Sequence, residues 1–153
     1  MPRLQRLEWV YTPSPIYFIT ACIAGRRAVL ATTKVHDAFR RFAGSAPSHG
    51  VWMGRYVLMP DHFHLFAGFS DRGPDLSSWV RSLKGFLSAT LRRNNVPSTH
   101  WQKGFFDHVL RSEESYKQKW EYVRENPVRA GLVERAADWP YQGEVHSLSL
   151  GKR

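Results

Sequence analysis

Apolar and polar positions recur along this chain with two different periods, and each change of period marks an element. Ile16 to Cys22 (IYFITAC) is a short run of β-branched and aromatic residues closed by Ala24-Gly25, which predicts a strand. Val35, Ala38, Phe39 and Phe42 then recur at the spacing of a helix that Thr32 or Thr33 can cap, and Gly44 to Gly50, with Pro47, breaks it. Val51 to Met59 (VWMGRYVLM) and His62 to Phe69 (HFHLFAGF) return to strand patterning, and only Pro60-Asp61 separates them, so a hairpin is the economical arrangement. From Leu76 to Arg93 the period is helical again, with Trp79, Leu83, Phe86, Leu87 and Leu91 on one face, until Asn94 to Thr99, with Pro97, ends it. Trp101 to Leu110 can form a fourth strand. Ser112 before Glu113 and Glu114 has the composition of a helix start, and that helix runs to about Asn126, where Pro127 ends or restarts it.

The flanks carry less pattern. Pro2, Pro13 and Pro15 disfavour a helix in an extended, basic lead-in, and the tail after Val133 holds Trp139-Pro140-Tyr141 before fading into polar residues. The order strand, helix, strand, strand, helix, strand is that of the split βαβ, ferredoxin-like plan. It predicts an α+β protein: an antiparallel sheet with helices on one face, plus an added C-terminal helix. No internal repeat, low-complexity tract or linker divides the 153 residues, which suit one domain.

Composition narrows the setting. With 42% hydrophobic and 23% charged residues the chain is too apolar for disorder. No run approaches the roughly 18 consecutive apolar positions of a membrane span, and the first residues lack the pattern of an export signal. A lone cysteine, Cys22, can form neither an internal disulfide nor a cysteine-based zinc site. The expectation is a cytoplasmic protein with no membrane partner.

Charge changes the picture more. The formal net charge is +9, and residues 1–106 hold all of it, with 14 Lys and Arg against 5 Asp and Glu, whereas residues 107–153 hold 8 against 8. Trp9 to His36, Ala38 to Pro60 and Leu76 to Phe106 contain no carboxylate. Such a one-sided field attracts polyanions, and the 14% of aromatic residues suits stacking on unpaired bases. On the Leu76–Arg93 helix, opposite the apolar stripe, Arg81, Lys84, Ser88 and Arg92 form a ridge one phosphate backbone wide.

Candidate chemistry lies in two further places. In His62-Phe63-His64 both imidazoles project from the same strand face, a natural bidentate clamp for a metal, although a pair of half-exposed surface histidines would have the same pattern. Tyr122 and Asn126, at i and i+4, share a helix face. A tyrosine hydroxyl can attack phosphorus, and Asn126 can offer a metal an oxygen; equally, Tyr122 can be a packing residue and Asn126 a helix stop. Tyr116 is a competing nucleophile on a different face. Walker and Rossmann glycine loops, Gly-x-Ser-x-Gly and clustered carboxylates are absent, which disfavours nucleotide hydrolysis, hydride transfer and two-metal nuclease chemistry.

Together these segments resemble a known family. Tyr56-Val-Leu-Met-Pro-Asp-His62-Phe-His64-Leu is similar to the histidine motif of the IS200/IS605-type single-tyrosine transposases, and Tyr122-Val-Arg-Glu-Asn126-Pro-Val-Arg-Ala-Gly-Leu-Val133 to their tyrosine helix. The Asn-Pro-Val-x-x-Gly form is that of the branch of REP-associated tyrosine transposases. Trp101-Gln102 with Phe105-Phe106-Asp107-His108, the Trp79 to Lys84 helix and Asp138-Trp139-Pro140-Tyr141 extend the likeness over roughly Ile16 to Tyr141. The resemblance implies a single transposase domain with an RRM-like sheet, its core at about 16–141 and tails at 1–15 and 142–153.

It further implies magnesium or manganese at His62, His64 and Asn126, no nucleotide cofactor, and Tyr122 rather than Tyr116 as nucleophile through a 5′-phosphotyrosine. The implied substrate is single-stranded DNA at hairpin-forming palindromes beside a short tetranucleotide. Arg81, Lys84, Arg92 and Arg93, with Ser88 on the same ridge, are the candidate hairpin contacts, and Arg3 and Arg6 the candidates for the flanking strand. The protein would be nucleoid-associated, as a monomer or a homodimer. Asn126 stands where the most familiar members carry Gln. A non-catalytic nucleic-acid-binding module of the same fold is the alternative, one that needs no metal and forms no covalent adduct.

Overall fold

The computed structural model describes residues 15–150; the lead-in with Arg3 and Arg6 lies outside them. Within it, β1 (Ile16–Cys22) leads to α1 (Thr33–Ser45), the strands β2 (Val51–Met59) and β3 (His62–Phe69), and α2 (Leu76–Arg93). Next come β4 (Phe106–Leu110), α3 (Glu113–Val123), the one-turn α4 (Asn126–Arg129) and β5 (Gln142–Glu144). The strands form one antiparallel sheet in the order β4-β1-β3-β2-β5. Among the first four strands both non-hairpin connections, β1 to β2 and β3 to β4, skip a strand, which is the predicted ferredoxin-like plan.

Local chemistry starts the three longer helices. Thr32 caps α1 by accepting from the Val35 N–H, Asp75 caps α2 through Ser78, and Ser112 caps α3 through Ser115. Apolar periodicity then chooses the buried faces. Val35, Ala38 and Phe39 of α1 and Trp79, Leu83, Leu87 and Leu91 of α2 close over Ile19, Ala21, Leu58, Phe63 and Leu65 on one side of the sheet. Each such large side chain contributes about 1.5–3 kcal/mol on leaving water. Phe86, expected on this face, is instead 39% exposed and packs beside Phe42 with the Arg41 guanidinium near its ring.

The opposite side of the sheet is not bare. Ile16 and Phe18 of β1, Val57 and Met59 of β2 and Phe66 of β3 form a second core with Tyr116, Trp120 and Val123 of α3, together with Trp139 and Leu148. The sheet is thus the middle of three layers, with α1 and α2 on one face and α3 with the C-terminal segment on the other.

Close approach on this side requires Gly54, where a Cβ would meet the Leu148 side chain at 2.7 Å and the Tyr116 hydroxyl at 3.1 Å. The register of β2 on β3 shifts between Met53 and Tyr56, which includes this glycine. The segment after Tyr141, expected as a tail outside the core, is instead built into the fold. Gln142–Glu144 adds β5 to the free edge of β2, and Leu148 is buried.

Two further elements differ from expectation. The fourth strand begins at Phe106, with Trp101 making only an isolated bridge to Ile23. The tyrosine helix does not run unbroken to Asn126: α3 ends at Val123, and α4 restarts at Asn126 with Pro127 near its N-terminus, where a missing N–H costs nothing.

Candidate active site

Residues of even number on β3 point towards α3, so His62 and His64 project into the layer that also holds Tyr122. The two rings stand nearly perpendicular with centroids 4.7 Å apart. His62 Nδ1 lies 2.7 Å from the Asp61 carboxylate, which also receives the Arg26 guanidinium at 2.9 Å. Partial burial alone would raise the Asp61 carboxyl, but hydrogen bonds from His62 and Arg26 hold it below its ordinary range. His64 Nδ1 lies 2.7 Å from the Thr20 hydroxyl of the neighbouring strand, and its ring stacks on Phe18 at 5.3 Å. Burial, then the positive charges of His62, Lys119 and Arg129, push the His64 imidazole down to about 3, so it is neutral near pH 7. With both Nδ1 atoms engaged, the Nε2 atoms are left to meet a ligand.

From the other wall come Tyr122 at the end of α3 and Asn126 at the start of α4. Tyr122 is 63% exposed. Arg129, which the sequence pattern did not single out, ties this wall together. Its guanidinium lies 4.0 Å from the Tyr122 ring centroid, donates to the Tyr122 carbonyl at 2.8 Å and also donates to the Asn126 side-chain oxygen. The signal for it was its place three residues after Asn126, one helical turn on. Phe18, Met59, His62, His64, Lys119, Tyr122, Val123, Asn126, Arg129 and Ala130 together line an open cleft of about 470 Å³.

Among the described residues, no group of three or more His, Cys, Asp or Glu is gathered to hold a metal. An ion in this cleft would therefore depend on the two imidazoles plus the carboxamide oxygen of Asn126. Two imidazole nitrogens with an amide oxygen are a chemically suitable donor set for a divalent cation. A larger cavity of about 650 Å³, bounded by Phe42, Trp79 and the Gly50 turn, brings together serines and Arg72 but no such combination.

Tyr116 cannot compete for a substrate. It is 5% exposed and packs edge-on to Phe66 at 5.0 Å, and burial pushes its phenol well above the ordinary range.

The basic ridge is only partly what the spacing predicts. Arg81, Arg92 and Arg93 are exposed on α2. Ser88 is not part of the ridge surface: it is 9% exposed, and its hydroxyl meets buried His100 at 2.8 Å and the Trp101 indole at 3.0 Å. The Lys84 ammonium is committed to the Gln102 and Gly104 carbonyls and pins the connection to β4. Arg93 faces a groove shared with Lys34 and Arg41 of α1, cations outside the predicted ridge. All of these lie on the α1/α2 side, across the sheet from the tyrosine cleft.

The sheet thus carries a strand-borne histidine pair opposite the tyrosine helix, on a fold shared with a known family. The pattern of the family described as "Transposase IS200 like" matches residues 13–126, and the chain belongs to that family of transposases, enzymes that act on DNA. Within it, the chain is 25% identical over 141 residues to the REP-associated tyrosine transposase of Escherichia coli (strain K12), covering 92% of this chain and 83% of that protein. The solved structure of a REP-associated tyrosine transposase bound to a REP hairpin has the same fold, with a TM-score of 0.69 and 23% identity over 94% of each chain. Among the described residues, no helix is long and apolar enough to cross a membrane.

Proposed function

We propose that this protein nicks and rejoins single-stranded DNA at hairpin-forming, REP-like palindromes through a covalent bond to Tyr122. The observation that carries the reading is the cleft itself, which an exposed tyrosine shares with two strand-borne imidazoles whose Nδ1 atoms are already engaged. The Tyr122 oxygen attacks a phosphodiester and bonds to phosphorus while its proton leaves to water. The P–O3′ bond breaks, its electron pair stays on the 3′ oxygen, and that oxygen takes up a proton. One phosphoester bond is made for each one broken, so no nucleotide cofactor is required. Rejoining is the same step reversed by an incoming 3′-hydroxyl.

His62, His64 and Asn126 would hold a divalent magnesium or manganese ion, which supplies charge neutralisation at the scissile phosphate. Asp61 and Thr20 fix the ring orientations that this requires. Arg129 holds the Tyr122 ring and the Asn126 carboxamide in register. The exposed Arg81, Arg92 and Arg93, together with Arg3 and Arg6, would contact the hairpin and its flanking strand.

The decisive test is incubation with labelled single-stranded hairpin oligonucleotides and Mn²⁺, followed by denaturing electrophoresis. A labelled adduct that maps to Tyr122 and is lost in Tyr122→Phe is the expected result. Cleavage without an adduct would point instead to attack by water, and binding alone to a non-catalytic module.

A further inference from the structure

Lys119 lies one turn before Tyr122 and shares its helix face with Tyr122, Val123 and Asn126. It lines the same cleft, with its ammonium 5.0 Å from the centroid of Phe18, the ring that stacks on His64. None of the residues lining the cleft carries a carboxylate, yet two carry a cation. These cations are not equivalent. Arg129 is occupied by the Tyr122 carbonyl, the Asn126 oxygen and the Tyr122 ring. The nearby α3 carboxylates are turned elsewhere: Glu114 accepts from Gln118, Glu113 reaches the Leu150 N–H, and Glu121 borders a separate groove beside Arg55. Among the described residues Lys119 forms no hydrogen bond and no ion pair, and its one marked contact is the face of Phe18. With Asp61 taken up by His62 and Arg26, a partly buried lysine without a counter-ion, in a cleft whose lining carries no acid, is arranged for an anion that arrives from outside.

We propose that Lys119 is the phosphate-binding residue of this cleft, its ammonium contacting a non-bridging oxygen of the phosphodiester that Tyr122 attacks. The role rests on the reading of Tyr122 given above and adds a group which that reading leaves unassigned. Because negative charge on the non-bridging oxygens shifts during in-line displacement, a cation fixed beside Phe18 stabilises the transition state more than it strengthens overall DNA binding. The competing role is purely structural, with the apolar stem covering Phe18 while the ammonium merely reaches water. Lys119→Met separates the two, since it keeps the stem and removes the charge.

Two measurements on the full chain test the assignment, each with a pool of 3′-labelled single-stranded hairpin oligonucleotides, whose label stays on the strand bonded to Tyr122. In the first, amine acetylation is mapped by mass spectrometry without added metal; DNA should protect Lys119 at least about fivefold in both wild type and Tyr122→Phe. In the second, adduct formation with Mn²⁺ is followed over time. Lys119→Met should lower its maximal rate about a hundredfold while changing the DNA concentration for half-saturation less than about threefold, with Lys119→Arg restoring much of the rate. Equal acetylation with and without DNA, or a wild-type rate in Lys119→Met, overturns the proposal. Protection of Lys119 by DNA with no adduct from any variant supports the phosphate contact and removes the covalent reading of Tyr122, so the two fail separately.

Discussion

Tyr116 and Tyr122 belong to the same helix, six positions apart and on different faces, and their surroundings give them different chemistry. The first is sealed under Phe66 and Gly54, where ionising a phenol is opposed by loss of hydration; the second stands at the rim of the cleft. The histidines are likewise separated by what lies behind them. His62 leans on a carboxylate that Arg26 also holds, whereas His64 leans on a neutral hydroxyl and is kept uncharged. Asp61→Asn is therefore expected to weaken Mn²⁺ binding about 10–100-fold, as read by electron paramagnetic resonance titration of free Mn²⁺. Unchanged affinity would remove Asp61 from the site's supporting groups. Arg129→Gln should leave the fold intact and slow adduct formation about tenfold or more, because the phenol loses the guanidinium that holds its ring and backbone. Full activity in that variant would show that Tyr122 needs no such brace.

At the scale of elements, α2 illustrates how a single helix divides its polar residues between structure and ligand. Sequence spacing places Arg81, Lys84, Ser88 and Arg92 in one stripe, but the loop that follows α2 folds back over the middle of it. Lys84 and Ser88 are taken up by that loop, through the Gln102 and Gly104 carbonyls and through His100 and Trp101. Ser88→Ala should cost about 1–3 kcal/mol of stability by leaving Nδ1 of buried His100 without its partner, with DNA affinity unchanged in the folded protein. Thermal unfolding and filter binding together check this. Arg92→Ala should do the reverse, preserving the melting temperature and lowering the slope of log affinity against log salt by about 0.7–0.9. An unaltered salt slope would take Arg92 out of the DNA contact. The tyrosine helix gives the same lesson: i and i+4 spacing correctly brought Tyr122 and Asn126 to one wall, although the backbone breaks between them after Val123.

Across the whole molecule, the sheet separates two cores with different duties. The α1/α2 side carries the exposed Arg81, Arg92 and Arg93, and the α3 side holds the cleft. Phe66 is the centre of the latter, in contact with Phe18, Tyr116 and Trp120. Phe66→Ala should lose about 3–5 kcal/mol and Leu83→Ala, on the far side, about 2–5 kcal/mol. At a temperature where both variants remain folded, only Phe66→Ala should lose adduct formation, because only it loosens the seat of α3. Equal losses of activity would mean that the two cores are not mechanically separate.

What the sequence by itself determined is what depends on neighbours along the chain. The strand and helix periods, the helix starts near Thr32 or Thr33 and at Ser112, the order of elements and the His-x-His and Tyr-x-x-x-Asn spacings are all set within a few residues. They sufficed for the ferredoxin-like plan and for the family, and they made His62, His64, Tyr122 and Asn126 candidates. Only the tertiary structure decided which polar side chains remain available to a ligand. That choice turns on residues distant in sequence: the strand carrying Thr20, the loop carrying His100 and Trp101, and the tail that adds β5 and buries Leu148. Periodicity tells which face of an element is apolar, but not what will come to cover its polar face. Burial and desolvation are properties of that covering, which is why Ser88 left the ridge, Tyr116 left the cleft, and Lys119 and Arg129 entered it.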